Sequence, residues 1–418
     1  AKDYYWVGDG ASWEDGSHWA LTSGGTGSGC VPTFQDNVYF DVNSFSSSGQ
    51  TVSINNSEAY SKTMDWTGVT NAPMFDVDNN LNIYGSLTFS PNMTVSSISA
   101  ANMNFKSTVS GNTIAFAGNQ WLGNIYFDGV NGEWTLQDSI SVNNTYRGIY
   151  VDYGVFNTNG NSISAGYFLV TNSATANMSS SDIYIKRKFL CTSLNYNTEL
   201  STIYTTSGGD LFEFGSNAKI RYLVLQNSSM TYSLYGNGLY ERIDVNTQSE
   251  AKFGSITADS IIVEPGKTLQ LDGTVTVNDY LEINGTCSLL SNLSGTGTLS
   301  SVTGNIVVNH TNISNITATG GASFVANNSY DLGGNSGWTI NSTSAKDYYW
   351  VGDGGSWEDG THWALTSGGP GSGCVPTFQD NVYFDANSFS ATAQTVSISA
   401  TIVDCKSMDW TGVLNSPT

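Results

Sequence analysis

The sequence predicts an all-β chain: a parallel, right-handed β-helix with a Trp- and Gly-rich cap module repeated at a period of 344 residues. Three observations predict it. Residues 1–74 recur at 345–418 without a gap, with 56 of 74 positions identical. Between the copies, short runs alternate apolar and polar side chains, the period of a strand with one buried face. Asn-Gly and Asp-Gly pairs separate those runs, and no stretch has helical periodicity.

Composition narrows the function classes. Net charge is −21, from 35 acidic and 14 basic residues, and the one basic run is Lys186-Arg187-Lys188. Phosphate binding needs patches of Lys and Arg, so a nucleic-acid partner is not expected. No apolar run approaches the ~20 residues that span a bilayer as a helix. The 22 Tyr, 18 Phe and 11 Trp argue against disorder. With only 12% charged residues, the surface must be covered by Asn, Ser, Thr and Gly, residues that suit an architecture rich in turns.

Taken in order, residues 1–75 form the cap or junction module. Its short apolar stretches (Tyr4-Tyr5-Trp6-Val7, Val38-Tyr39-Phe40, Val52-Ser53-Ile54) alternate with Gly-rich turns. Trp6, Trp13 and Trp19, joined by Trp66, are expected to build an aromatic cluster. Residues 76–344 form the rod. Strands are expected at Leu81–Phe89, Ile125–Phe127, Ile183–Ile185, Ile220–Val224, Val275–Val277, Leu281–Ile283 and Ile306–Val308. A chain of β-sandwiches would show similar strands. The solenoid is favoured because phrases such as Leu81-Asn82-Ile83-Tyr84-Gly85 and Leu281-Glu282-Ile283-Asn284-Gly285 recur, and none could bury its apolar face without a stacked neighbour. At roughly 20–25 residues per coil the rod holds on the order of a dozen coils, ~50–60 Å of stacked strands. Gly333 to Trp338 closes it with a turn and an aromatic plug, and a short polar linker leads to residues 345–418, the second cap module. The offset implies one full period of a tandem array plus the start of the next, so that neither terminus is a natural one.

These residues also carry a resemblance. Tyr5-Trp6-Val7-Gly8, Trp13, His18-Trp19, Val31-Pro32-Thr33, Asp36 to Asp41, Asp65-Trp66-Thr67-Gly68 and Leu81 to Leu87 resemble the very large secreted repeat proteins of Bacteroidota. The likeness covers residues 1 to about 145, including Trp134-Thr135-Leu136-Gln137-Asp138, and again 345–418; residues 146–340 share only the texture. It implies export by the type IX system and an extracellular, cell-surface fibre of the gliding-adhesin or grappling-hook kind. A family likeness does not fix an activity.

Candidate chemistry is sparse. The three histidines are His18, its copy His362, and His310. His18 stands beside Trp19, which favours packing, and His310 falls at a strand-to-turn junction, which favours the surface. No zinc spacing, nucleophile elbow or phosphate loop is present. Because β-helices also serve as scaffolds for polysaccharide cleavage, paired carboxylates matter. Asp152, Asp210 and Glu213 qualify by type, but nothing marks one pair above another. Acidic turns could supply calcium with oxygen ligands: Asp9, Glu14, Asp15, Asp36 and Asp41, with counterparts Asp353, Glu358, Asp359, Asp380 and Asp385. Asp hydrogen-bonding its own turn is the competing reading.

Five cysteines complete the inventory. Cys374 and Cys405 are 31 positions apart in the second module, and Ser61 stands where a first-module Cys405 would be. A Cys374–Cys405 disulfide is therefore expected. Cys30 is then unpaired within its module and expected as a buried thiol, or as one end of a bridge to Cys191 or Cys287 in the same chain or a neighbour; all three are candidates for an unpaired or inter-chain cysteine.

The expected function is a structural subunit of a giant extracellular fibre that associates with itself end to end and laterally. It is not expected to be an enzyme or to need a cofactor. The alternatives are a glycan-binding adhesin, with Tyr4, Tyr5, Trp6, Trp13 and Trp19 as stacking platforms, and a polysaccharide-degrading β-helix.

Overall fold

A computed structural model describes the chain apart from residues 56–57, 192–194, 207–210, 215–218, 227–230, 237 and 400–402 and the side chains of 195–199 and 211–214. It is all-β, a parallel β-solenoid of about 13 turns. Its 3-10 turns, at Gly16–His18 and Gly360–His362, occupy equivalent places in the two modules. Two compact units divide the chain, Ala1–Ser260 and Ile261–Thr418.

In the first unit, successive coils lay parallel strands on one another. One ladder runs through Asn37–Tyr39, Met64–Asp65, Leu87–Thr88, Asn112–Ala115 and the end of Ile125–Leu136. Its register partners Val38, Met64, Leu87, Ile114 and Leu136 are 26, 23, 27 and 22 residues apart, which is the length of one coil. All five are buried and stack as a single apolar column. Fully burying such a side chain stabilises by ~1.5–3 kcal/mol, so each coil gains from the one beside it what it could not gain alone. A second ladder joins Ala59–Ser61, Leu81–Ile83, Met103–Phe105 and Ile125–Leu136. A third, in its own sheet, joins Ala11–Ser12, Thr51–Ile54, Met74–Val77 and Thr94–Ser97.

Coils turn their corners with residues that tolerate a left-handed backbone. Asn71, Asn131 and Asn159 have φ of 67°, 66° and 54°, a region that Asn enters at less cost than most residues. Asn71 and Asn159 donate their side-chain amides to the neighbouring coil, to the Phe45 and Leu136 carbonyls at 2.6 and 3.3 Å. Elsewhere a long strand bends: Ile125–Leu136 shifts register on both sides of Asp128, first against the extra Asp152 of its partner strand and then where residues 129–132 stand against Gly154 alone. Polar side chains on the outer face form rungs of their own. Asn104 donates to Asn82 Oδ1 at 3.1 Å and Asn177 to Asn157 Oδ1 at 2.7 Å. Tyr126 stacks on Tyr150, and Tyr184 on Tyr204, each with centroids 4.8 Å apart, the spacing of hydrogen-bonded strands.

The first ladder crosses the expected module boundary near residue 75 without a break, because Met64 pairs with Leu87. The Trp-rich module is thus the opening coils of the solenoid, packed around aromatic rings instead of aliphatic side chains. Trp6, Trp13, Trp19 and Trp66 are all buried, at 0–1% exposure. Trp19 meets Trp6 and Trp13 edge-on at 4.9 and 4.7 Å, and Phe40 lies flat on Trp66 at 3.5 Å. An antiparallel hairpin closes the module, with Tyr5 opposite Ala20 and Trp6 opposite Trp19. Glycine is required at position 27, since a Cβ there would lie 1.8 Å from the Ser17 carbonyl oxygen.

Ser61 marks one weak place in this packing. It is fully buried and its hydroxyl has no hydrogen-bond partner, whereas the second copy has Cys405 at this position. Burying an unsatisfied hydroxyl is costly. Ser61→Cys should therefore raise stability by about 1 kcal/mol, visible as a higher urea midpoint under reducing conditions. A lower midpoint would show that sulfur does not fit.

The second unit carries the same pattern to its end. Thr274–Ile283, Thr298–Ser301 and Thr317–Gly320 form one ladder, and Thr268–Leu271, Ser291–Gly295, Thr311–Ile313 and Tyr330–Asp331 another. Asn305–Asn309, Ser323–Asn327 and Thr339–Asn341 form the third. Trp338, expected as a plug, is half-buried and meets Phe324 edge-on at 5.5 Å. The second module then reproduces the first: Asp347–Trp350 pairs antiparallel with Trp363–Ala364 and parallel with Asn381–Tyr383, which pairs with Ser407–Asp409.

Candidate functional site

Within the second unit, the last coils meet the repeated module at a joint. A tight turn, Thr286 to Leu289, is closed by hydrogen bonds in both directions between those two residues. It presents Cys287, which is disulfide-bonded to Cys374 across 87 residues of chain. The Val375 amide donates to the Cys287 carbonyl at 3.4 Å, fixing the backbones beside the bridge. Farther along, the Thr377 hydroxyl donates to the Tyr330 hydroxyl at 3.3 Å, and Phe378 meets the Tyr330 ring edge-on at 5.2 Å. Tyr330 also shares a hydrogen bond with Thr343 at 2.8 Å. Leu289, Leu290 and Leu332 from the coils face Trp357, Val375 and Phe378 from the module across an apolar cleft.

This bridge corrects the cysteine pairing expected from the sequence. Cys374 bonds Cys287, not Cys405, and Cys287 is therefore neither free nor inter-chain. Cys405 is a free, half-buried thiol packed against its module's aromatic core; burial and the adjacent Asp404 raise its pKa. Cys191 is free and fully buried in the first unit, and desolvation pushes its thiol well above the usual range. Cys30 is free and exposed, not the buried thiol expected, because its turn lies on the outside of the first module.

A second cavity of the joint is lined by His310, Tyr348, Lys346 and Asp380 together with the disulfide. His310 is half-buried here and not on the open surface; burial, then the Lys346 charge, lowers its pKa. Its backbone has φ of 48° and bonds both neighbouring coils, accepting from Ser291 and donating to Asn327, each at 3.0 Å. Tyr348 is 3% exposed, and burial, then Asp380 and Tyr330, pushes its phenol up to about 12. A raised phenol pKa means that the folded state favours the neutral form. This stabilisation is complete below pH 10 and is lost as pH rises from 10 towards 12, amounting to roughly 2 kcal/mol. Unfolding by urea at pH 8 and pH 11 should show a larger loss for the wild type than for Tyr348→Phe; equal losses would refute the assignment.

The acidic candidates do other work. Asp9 accepts from the Ser46 amide and hydroxyl at 2.6 and 2.8 Å, and these bonds lower its pKa. Glu14 binds the Ser12 hydroxyl. Asp15 caps the 3-10 turn through the Ser17 hydroxyl and amide, which lower its pKa. Asp36 takes the Thr33 amide and hydroxyl and the Lys2 amide, and Asp41 takes the Asn43 amide at 2.9 Å. Asp353, Glu358, Asp359, Asp380 and Asp385 repeat these bonds in the second copy. Among the described residues no three His, Cys, Asp or Glu side chains converge as a metal site.

Nor do the tryptophans form a platform. Tyr4, Trp6, Trp13 and Trp19 are core residues with no face for a sugar ring; Tyr5 is half-buried and stacks on Tyr39 at 5.0 Å. His18 stacks on Trp6 at 5.1 Å with Nδ1 2.7 Å from the Val7 carbonyl, a packing role that His362 repeats against Trp350 and Val351. Asp152 accepts from Thr171 at 2.7 Å, while Asp210 and the Glu213 side chain lie outside the described residues. No helix among the described residues is long and apolar enough to cross a membrane.

Fold and joint together define a parallel β-solenoid whose opening module recurs, in the same chain, docked on the end of its coils. The chain matches no protein-family model, no curated protein and no solved structure.

Proposed function

We propose that the chain is a structural repeat of an extracellular tandem fibre used for attachment or cell contact. The observation that supports this most is the joint: the start of a second copy is packed on, and covalently fastened to, the last coils of the first. A flexible linker between repeats would carry tension but let neighbouring repeats bend freely. Here a disulfide, hydrogen bonds and aromatic contacts fasten the two sides within one compact unit. Under axial load, in-register parallel strands share force across many backbone hydrogen bonds, and the aromatic module covers the otherwise open end of the coil. Polar Asn and stacked Tyr rungs on the outer faces offer a surface for lateral association of chains.

The reading is tested by electron microscopy of the cells that make the protein. Filaments labelled by antibody to this chain, with an axial repeat equal to the length of one 344-residue period, are expected. A label confined to the cytoplasm, or to particles with no axial repeat, would refute it.

A further inference from the structure

The two modules share a sequence but differ in what covers them. From Ser28 to Asp41 the first copy is identical to Ser372 to Asp385 in the second. In the second copy this segment is the docking face of the joint: Cys374, Val375, Thr377 and Phe378 contact the Cys287 turn or Tyr330. In the first copy Cys30 and Thr33 are exposed where Cys374 and Thr377 are half-buried. Phe34, at 50% exposure against 40% for Phe378, differs little and, among the described residues, meets the Tyr84 ring of its own unit. The backbone of the face is nonetheless already set. Ser28 Oγ accepts from the Cys30 amide at 3.2 Å, as Ser372 does from Cys374. Asp36 accepts from the Thr33 amide at 3.0 Å, as Asp380 does from Thr377 at 2.8 Å. A prearranged face that is occupied in one copy and open in its twin specifies its occupant.

We infer that the Cys30 face of the first module is a docking site for the Cys287 turn and the Tyr330 coil of another copy of this repeat, closed by a Cys30–Cys287 disulfide. The inference rests on the tandem-fibre reading and adds to it the covalent lock. Two thiols lose two protons and two electrons as the S–S bond forms; a small-molecule disulfide such as oxidised glutathione accepts them and is cleaved to two molecules of its thiol. Each joint of an array would then carry one such bridge. The partner is a coil end and not an arbitrary thiol, because the Val31 amide, Thr33 hydroxyl and Phe34 ring lie in the segment that, in the second copy, meets the Cys287 carbonyl and Tyr330.

The 418-residue chain already uses its own Cys287, so the test supplies another. Residues 1–344 are placed directly before the whole chain, so that the seam reads Ser344-Ala1-Lys2, matching Ser344-Ala345-Lys346 of the native sequence. In this fusion the leading copy also carries Val42→Ala, the residue found at the equivalent Ala386, so that its otherwise identical Asp3–Lys62 tryptic peptide differs in mass. After equilibration with oxidised and reduced glutathione, free thiols are alkylated and a non-reducing tryptic digest is mapped by mass. The seam Cys30 should be linked to the preceding Cys287 and escape alkylation, while the leading Cys30 in the same molecule is alkylated. Cys287→Ser in the leading copy should release the seam Cys30 alone. A seam Cys30 alkylated as fully as the leading one overturns the proposal. If small-angle scattering then still shows one stiff extended particle, the lock is wrong and the fibre reading stands; a particle flexing at the seam removes both. A second arm needs no doubling: Cys374→Ser frees Cys287 in the 418-residue chain and should yield chain-to-chain adducts that vanish in C30S/C374S. Absence of adducts, or their survival without Cys30, counts against the proposal.

Discussion

Removing the Cys287–Cys374 bridge will cost the second unit about 4–5 kcal/mol. The bridge closes a loop of 87 residues, and the loss of unfolded-state entropy grows with the logarithm of loop length, which gives a value of that size. Few domains have more than 5–15 kcal/mol in all. Cys287→Ser/Cys374→Ser should therefore melt the second unit well before the first, turning one thermal transition into two. The tryptophans report it: Trp350, Trp357 and Trp363 belong to the joint's module, and Trp6, Trp13, Trp19 and Trp66 to the first unit. Calorimetry and fluorescence on oxidised wild type, reduced wild type and the double variant separate the two. Coincident melting in all three would show that the joint is held by packing alone. Among the tethers left behind, the Thr377–Tyr330 and Val375 hydrogen bonds contribute about 1 kcal/mol each, and the Phe378–Tyr330 edge contact about as much. They cannot replace the bridge.

Trp66→Ala is expected to cost about 3–5 kcal/mol, the range for emptying a large aromatic site in a core. Trp66 is fully buried, lies flat on Phe40 at 3.5 Å and contacts Phe75 at 5.1 Å. The surrounding coils cannot collapse into the hole, because backbone ladders on both sides fix their spacing. Trp410 is the internal control. It makes the same stack on Phe384 at 3.6 Å but is only half-buried, at the last strand of the second module. Its neighbour Met408 is 49% exposed where Met64 is 1% exposed. Trp410→Ala should thus cost clearly less than Trp66→Ala. Urea unfolding of both variants checks it, and equal losses would mean that the stacked pair, not enclosure by coils, sets the energy.

Much of the fold was legible from residue order. Alternation at Leu81 to Phe89 places Leu81, Ile83, Leu87 and Phe89 inside, and all four are buried, although the expected single strand is two, Leu81–Ile83 and Leu87–Thr88, on different ladders with a bend between them. The expected strands at Ile125, Ile183, Ile220, Val275, Leu281 and Ile306 all form. Pattern succeeds here because a strand's two faces differ in solvent, so the inside–outside rule is written locally. The same locality served the acids: Asp15 and Asp36 bond groups two or three residues away, as turn chemistry requires. It also served His18, whose neighbour Trp19 announced the aromatic cluster.

What failed was whatever depended on which coil lies beside which. Cys405 was the nearer partner for Cys374 in sequence, yet stacking brings Cys287 to it from 87 residues away. Continuity between module and rod is of the same kind: the texture changes near residue 75, while the ladder from Met64 to Leu87 runs through that point. The aromatic cluster expected of Trp6, Trp13, Trp19 and Trp66 does form, and the sugar platform kept as its alternative does not, because the closed hairpin and the coil beneath Phe40 turn the rings inward.

By itself the sequence determined the all-β character, the coil-forming alternation, the 344-residue period and the local turn bonds of its acids, since each depends on neighbours within a few positions or on repetition that can be read directly. Only the tertiary structure decided the disulfide, which rings of the aromatic cluster pack on one another and the continuity of module with rod. These depend on contacts between coils, and the offset from coil to coil varies from 22 to 27 residues along a single ladder, so no fixed spacing in the chain encodes them.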